Sequence, residues 1–274
     1  MDDDGLYTPE VGEWAELKYR LISYYAEMFS TAMKRKWDSR AYIDLFAGAG
    51  RGRMRGTSRV LATSATLALA VPDPFDRYVF CDIDPNCIDV LRQRVEAEHG
   101  ETRTVDYLVG DSNELANEIL ERMRDQRRHG RLLSFCVVDP YKMANLKFST
   151  IEELSSLYAD FLVLIPSYMD AHRNERVYAA PQNSTVAEFL GDPDWRSKWT
   201  ASGGEFGAFI VDQFGLAMKR LGFIYNGLGE EVPVYLPSKN RKLYHLAFYS
   251  KNKLGMKFWA DARKGSDDQL GLFE

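Results

Sequence analysis

Tyr42-Ile43-Asp44-Leu45-Phe46-Ala47-Gly48-Ala49-Gly50-Arg51-Gly52 is the stretch whose reading decides the fold. A short apolar run ends in a turn packed with glycines. The apolar residues Tyr42, Ile43, Leu45 and Phe46 suit a strand buried on both faces, as in a parallel sheet. Gly48, Gly50 and Gly52 permit positive φ and remove Cβ atoms that would block a bound molecule. In open α/β sheets, ligands sit beyond the carboxyl ends of the strands, where this loop falls. A glycine-rich turn alone is a weak signal. The rest of the chain has to supply what a nucleoside-type ligand needs.

Upstream, Trp14, Leu17, Leu21, Tyr24, Tyr25, Met28 and Phe29 recur at helical spacing, with Lys18 and Arg20 interleaved. This predicts a long amphipathic helix over 11–37, preceded by an acidic, loose segment 1–12. Downstream, Arg51, Arg53, Arg55 and Arg59 run without an acid among them, and a helix is expected over 60–69. Pro72 and Pro74 end it. Strands are expected over 78–81, 105–109, 132–138 and 161–165. Helices are expected over 88–98, 114–126 and 151–158, the second capped by Ser112 or Asn113. This alternation across 41–166 predicts an α/β fold with a doubly wound, mainly parallel sheet covered on both faces.

The rhythm changes at 167–205, which carries Met169, Arg173, Arg176, Tyr178, Pro181, Trp195 and Trp199 and reads as a helical insertion or lid. A helix over 206–221 follows. Residues 232–236 and 244–249 are expected to form a terminal antiparallel hairpin around 237–242. A last helix over 257–263 and a polar tail close the chain. The expected organisation is an N-terminal helical extension, 1–40, and one domain, 41–274, with the insertion at about 167–205.

The 274 residues suffice for one large domain, and 45% hydrophobic with 27% charged residues is ordinary globular composition. A net charge of −5 argues against a protein that coats polyanions, although a sum hides local patches. Cys81, Cys87 and Cys136 lack CxxC spacing, which argues against zinc or iron–sulfur ligation and for reduced thiols. The start has no basic segment followed by an apolar one, and no apolar run approaches a membrane span. A cytoplasmic protein is expected.

Each of the first four strands ends beside an acid: Asp44, then Asp82 and Asp84, then Asp111, then Asp139. In a doubly wound sheet these ends line one edge, so the acids converge on one cleft. A nucleoside ligand gives each a role. Backbone at Gly48 and Gly50 approaches the sugar. Asp82 and Asp84 accept from ribose hydroxyls. Asp111 accepts from an exocyclic adenine amine, with Ser112 beside it. Asp139-Pro140-Tyr141 faces the reactive end, where the acid accepts from a target amine and the aromatic stacks on a planar target. Against each stands a bland alternative, since an acid after a strand is often the N-cap of the next helix. The joint pattern at four consecutive strand ends favours the site.

The third glycine of the dinucleotide fingerprint G-x-G-x-x-G is replaced by Arg53, and no Gly-Lys-Ser/Thr occurs. A phosphate-free nucleoside such as S-adenosylmethionine fits better. Ile43-Asp44-Leu45-Phe46-Ala47-Gly48-Ala49-Gly50 resembles the first motif of class I S-adenosylmethionine-dependent methyltransferases, particularly those acting on nucleic acids. Asp139-Pro140-Tyr141 looks like a shortened Asp/Asn-Pro-Pro-Tyr/Phe motif of amino-methyltransferases, with one proline where the family has two. Over nearly its full length the chain resembles the three-Cys-motif partner family (TcmP), methyltransferase-like proteins paired with a radical-SAM-like three-Cys-motif protein. The likeness includes the N-terminal helix with Lys18, the closing Tyr244-His245-Leu246-Ala247-Phe248, Gly255 and Trp259.

The resemblance implies a class I methyltransferase-like, Rossmann-like fold and S-adenosylmethionine as cofactor. It places cofactor contacts at Asp44, Phe46, Gly48, Gly50, Asp82, Asp84, Asp111 and Ser112, and catalysis at Asp139, Pro140 and Tyr141. A nucleic-acid substrate is expected to meet Arg51, Arg53 and Arg55, the alternative being a solvated loop. A non-catalytic role beside a three-Cys-motif partner is the competing expectation. Lys239, Arg241 and Lys242 read as a basic surface tip, and His245 as a core histidine.

Overall fold

The computed structural model describes residues 4–128 and 130–270. The chain runs through β1 (Glu10–Val11), α1 (Ala15–Met33), β2 (Ser39–Asp44), β3 (Arg51–Met54), β4 (Val60–Ala62), α2 (Ser64–Leu69), β5 (Arg77–Asp82) and α3 (Pro85–His99). It continues as β6 (Val105–Val109), α4 (Ser112–Arg128), β7 (Leu132–Val138), α5 (Phe148–Leu154) and β8 (Ala159–Ile165). Then come α6 (Glu175–Ala179), α7 (Thr185–Leu190), α8 (Trp195–Ser202), α9 (Phe206–Arg220), β9 (Val232–Leu236), β10 (Arg241–Tyr249) and α10 (Lys253–Leu270).

The central sheet has the order β6-β5-β2-β7-β8-β10-β9. Its first five strands are parallel. β10 enters antiparallel between β8 and the edge strand β9. This is the expected class I methyltransferase-like architecture: a doubly wound parallel sheet closed by an antiparallel hairpin. Both faces are covered because the strands alternate large apolar residues to each side. Ile43, Val79, Cys136 and Phe161 meet α4, α5, α7 and α9. Tyr42, Phe80, Phe135, Leu162 and Phe248 meet α1, α2, α3 and α10. On the second face Tyr25 packs 4.7 Å from Phe135 and 4.6 Å from Phe248, whose ring stacks on Trp259. Such pairs contribute about 0.5–1.5 kcal/mol each beyond their buried area.

Four expectations need correction. Residues 60–69 are not one helix. Val60–Ala62 pairs antiparallel with Arg51–Met54, and extended Thr63, whose N–H donates to the Gly50 carbonyl, delays the helix to Ser64. The arginine segment is therefore a strand and not a loop. The described part of the acidic N-terminus is not loose either. Val11 pairs with Met54, and Asp4 is clamped by Arg94; residues 1–3 lie outside the described residues. The 167–205 insertion is helical, and its Val186, Phe189 and Trp195 join the core that covers the sheet. The hairpin turn is also tighter than expected, since β10 already begins at Arg241. It turns through a 3-10 turn, Pro237–Lys239, and Asn240 with φ 43°. The end of the expected polar tail, 271–274, lies outside the described residues.

A π-helical turn, Ser167–Ala171, leaves β8 and packs on the start of α9. A Cβ on Gly207 would sit 2.7 Å from the Ser167 carbonyl oxygen, a backbone atom that cannot rotate away. We predict that Gly207→Ala costs about 1–3 kcal/mol, read as a lower denaturation midpoint at unchanged slope. An unchanged midpoint would show that the π-turn shifts freely.

Candidate functional site

The site begins with strand register. Asp44 of β2 lies opposite Phe80 of β5, so Asp82 falls alongside the glycine loop. Its carboxylate accepts from the Gly48 N–H at 2.8 Å and from the Asp84 N–H at 2.9 Å. Gly48 has φ +61°, and a Cβ there would meet no heavy atom within 4 Å. The backbone thus turns left-handed at the one loop position that faces open space. Gly50 differs. A Cβ there would strike Leu91 and Thr66 at 2.8 and 2.9 Å, so this glycine serves packing. The loop is held from behind by Arg94, 3% exposed, which donates to the Ala49 carbonyl at 2.5 Å and to Asp4 at 2.8 and 2.9 Å.

The remaining acids take distinct tasks. Asp44 is fully buried and accepts from the Phe46 N–H at 3.2 Å and the Tyr42 hydroxyl at 3.3 Å. It braces the loop from beneath, away from any surface a ligand reaches. Burial pushes its carboxyl up to about 7, the nearby Asp139 adding to the rise. Asp84 caps α3 through the Asn86 N–H at 2.9 Å, the bland alternative weighed for it. Asp111 caps α4 through the Asn113 N–H at 2.9 Å, so the cap is neither Ser112 nor Asn113. Ser112 is the first helical residue, and its buried Oγ has no hydrogen-bond partner. Phe46 is half-buried against the core. Ile83, between Asp82 and Asp84, is 71% exposed. Sequence reading passed over it, although an apolar residue between two acids at a strand end was a visible signal.

At the end of β7, Asp139 is ion-paired with Lys18 of α1. Both side chains are largely shielded. Burial opposes the lysine's charge, but the Asp139 carboxylate more than offsets this and its pKa is raised. Lys18 lies on the face of α1 carrying Leu21 and Tyr25, all buried. A cation on an apolar helix face was a readable sign of a paired charge. Pro140 is buried, while Tyr141 is 70% exposed. Asp139, Pro140, Tyr141 and Lys18 open on a cleft of about 950 Å³. Its walls come from Glu10–Ala15, Met54–Thr57, the π-turn with Arg173, and the terminal hairpin. Gly48, Asp82 and Asp111 are not among its lining.

The arginines after the loop do not form a free cluster. Arg51 is paired with Asp4 at 3.1 Å and Glu98 at 2.7 Å. Arg55 lies 3.4 Å from Glu10, and Arg59 2.6 Å from Glu16. Arg53 is held in β3, its N–H donating to the Pro9 carbonyl. Only Arg55 of the three predicted substrate contacts lines the cleft. Arg51 instead ties the small sheet to α3.

We predict that Lys18→Met, which leaves Asp139 shielded and unpaired, costs about 3 kcal/mol of unfolding free energy. The double variant Lys18→Met/Asp139→Asn should recover much of that loss in a double-mutant cycle. Additive losses would show that the pair is not coupled. A second expectation concerns pH. The folded-state carboxyl of Asp44 titrates above its unfolded value of 3.8. The native state therefore holds a proton that the unfolded state has released. Its stabilising contribution is full below about 4 and is lost as pH rises to about 7. Asp44→Asn should flatten that decline in denaturation series at pH 4 to 8. An unaltered slope would rule the group out as its source.

No protein-family model matches the chain, and no curated protein matches it. Solved structures resemble it at low identity. A Legionella pneumophila protein with the family model DUF519 is 10% identical over 85% of each chain, with TM-score 0.48. Trm1 from Pyrococcus horikoshii, in complex with S-adenosyl-L-methionine, is 12% identical with TM-score 0.44. That match covers 88% of this chain and 57% of Trm1. Magnesium protoporphyrin IX methyltransferase from Synechocystis, with bound SAH, is 11% identical over 87% of this chain and 86% of its own, with TM-score 0.39. At these values the likeness is one of overall shape, and the strand order carries the fold assignment.

Proposed function

We propose that the protein is an S-adenosylmethionine-dependent methyltransferase whose acceptor is an amine of a nucleic-acid base, presented at Asp139-Pro140-Tyr141. The observation that carries this reading is the arrangement at one sheet edge. Gly48 is locked by Asp82 with its Cα facing open space, and Asp139 stands at the end of the neighbouring strand, at the mouth of a large cleft.

The residues fit the cofactor on their own chemistry. The space a Cβ would fill at Gly48 lets a ligand lie against backbone. Asp82 keeps acceptor capacity for ribose hydroxyls. Exposed Ile83 offers an apolar plate beside it for a purine face. The orphaned, buried Ser112 Oγ beside Asp111 is a polar atom awaiting a partner. When bound, S-adenosylmethionine supplies an electrophilic methyl on a sulfonium sulfur.

The chain's part is to orient and desolvate the acceptor. Asp139, its charge balanced by Lys18, accepts a hydrogen bond from the acceptor amine, as does the Pro140 carbonyl. Tyr141 presents its ring to a planar base extracted from its stack. A cofactor held there would supply the methyl group, while Asp139, Pro140 and Tyr141 would hold the amine toward it and leave its proton free to pass to solvent.

A second reading, a non-catalytic partner subunit of a three-Cys-motif protein, is favoured by two features. Lys18 already occupies an Asp139 carboxylate oxygen, and one proline stands where the amino-methyltransferase motif has two. Calorimetry separates the readings. We expect wild type to bind S-adenosylmethionine and Asp82→Ala to lose binding. Asp139→Asn should keep it while transfer to RNA or DNA falls by roughly 10²-fold or more. Absence of cofactor binding by wild type would overturn the enzyme reading. Binding without transfer to any nucleic acid would favour the partner subunit.

A further inference from the structure

The expected phosphate-binding arginines are spent on carboxylates, yet another part of the surface carries cations that are not. A groove of about 700 Å³ runs between the π-turn and the terminal hairpin. Arg173, Lys239, Arg241 and Lys242 line it, with Glu205 as the one acid. Glu205 is engaged by the Tyr168 hydroxyl at 2.7 Å. Among the described residues, none of the four cations has a carboxylate within ion-pair distance. In a chain of net charge −5, such a cluster is a local reversal of sign. It is also built: Lys242 lies 5.5 Å over the Tyr168 ring, and Tyr168 packs 5.9 Å from the His245 ring. His245 is anchored by the Ser167 hydroxyl at 2.8 Å.

The groove does not end blindly. Met169, Arg173, Lys239, Arg241 and Leu243 line both it and the 950 Å³ cleft that holds Asp139 and Tyr141. The groove and the cleft therefore share a wall that runs from the hairpin tip toward the position proposed for the acceptor.

We propose that this groove is the track for the sugar–phosphate backbone of a single nucleic-acid strand, delivering a base to Asp139. The proposal rests on the acceptor reading above only for where the strand leads. Unpaired cations that follow a groove, with exposed aromatic faces along it, are the arrangement that holds single strands. Tyr168 and His172 line the groove, and Tyr141, 70% exposed, stands in the cleft that shares its wall. Two of the four cations are arginines, whose planar fork matches phosphate oxygens. A single strand fits better than a duplex, because an exocyclic amine in a paired, stacked base cannot reach a cleft.

The test is fluorescence anisotropy with labelled 20-nucleotide single-stranded RNA and DNA over a salt series. It uses wild type, Lys239→Glu/Arg241→Glu and, as a charge-matched control outside the groove, Lys219→Glu/Arg220→Glu, with thermal melts to confirm that the variants fold. We expect wild type to bind with a negative slope of log affinity on log salt. The hairpin variant should weaken binding at least tenfold at low salt and flatten the slope by about 1 to 2, each single-strand phosphate contact contributing roughly 0.7. Lys219→Glu/Arg220→Glu, which makes the same charge change at exposed positions at the end of α9, should bind like wild type. Equal binding by the hairpin variant would overturn the track, as would absence of oligonucleotide binding, or binding of polyglutamate in its place. If the oligonucleotide binds through the hairpin but S-adenosylmethionine does not bind, the methyltransferase reading fails and the track stands.

Discussion

The structure depends on the side-by-side register of two parallel strands. Because Asp44 of β2 lies opposite Phe80 of β5, the Asp82 carboxylate arrives where the Gly48 N–H needs an acceptor. A parallel ladder leaves the last residues of each strand without partners beyond the edge. Here those groups are satisfied by side chains from the neighbouring turn. Asp82 takes both Gly48 and Asp84 backbone donors, and Arg94 takes the Ala49 carbonyl. A loop so tied keeps its left-handed glycine facing open space. A ligand that leans on it meets a preformed surface and pays little to order it.

Five acids at four strand ends look alike in sequence but hold different physical states. Asp44 is buried among a hydroxyl and an N–H and is pushed up in pKa by desolvation. Asp139, close enough to raise it further, is ion-paired with Lys18. Two carboxylates near one another in a shielded region repel, and the lysine on α1 sets a cation beside one of them. Asp84 and Asp111 spend their oxygens on helix starts, which places two N-terminal ends, α3 and α4, at the same edge. Capping and ligand contact are not exclusive roles, because each carboxylate has lone pairs beyond the one bond.

What was legible follows from range. Strands β6 and β7 matched their apolar runs, and the parallel sheet followed from alternation, because burial on both faces leaves a local signature. The small sheet β1-β3-β4 left none. Arg51–Met54 has no apolar period, and it becomes a strand only through pairing with Val11 on one side and Val60–Ala62 on the other. Val60–Ala62 reads as the start of a helix until the Gly50 carbonyl claims the Thr63 N–H. In the same way the arginines carry no sign in sequence that Asp4, Glu10, Glu16 and Glu98 will neutralise them. Those partners lie far along the chain, and ion pairing is set by tertiary position. Lys18 was the exception, a charge out of place on an apolar helix face.

The division of labour in the site mirrors the division of the chain. The loop, Asp82 and Asp111 all belong to the parallel half of the sheet, where strand ends converge by topology. The cleft beside Asp139 takes most of its other walls from elements outside that half: α1 and the segment before it, Met54–Thr57, the π-turn after β8, and the β9–β10 hairpin. β10 is what joins the two, since its second half, His245 to Tyr249, pairs with β8 and so sets the hairpin tip beside the π-turn. His245 sits opposite Ile165 in that ladder, and its ring meets the Ser167 hydroxyl immediately beyond the end of β8. Burial, then Lys242, holds the imidazole pKa down to about 4, so at neutral pH it enters this contact as an uncharged partner. A charged ring there would repel Lys242. Keeping His245 neutral at the base leaves the positive charge on side chains that reach into the groove.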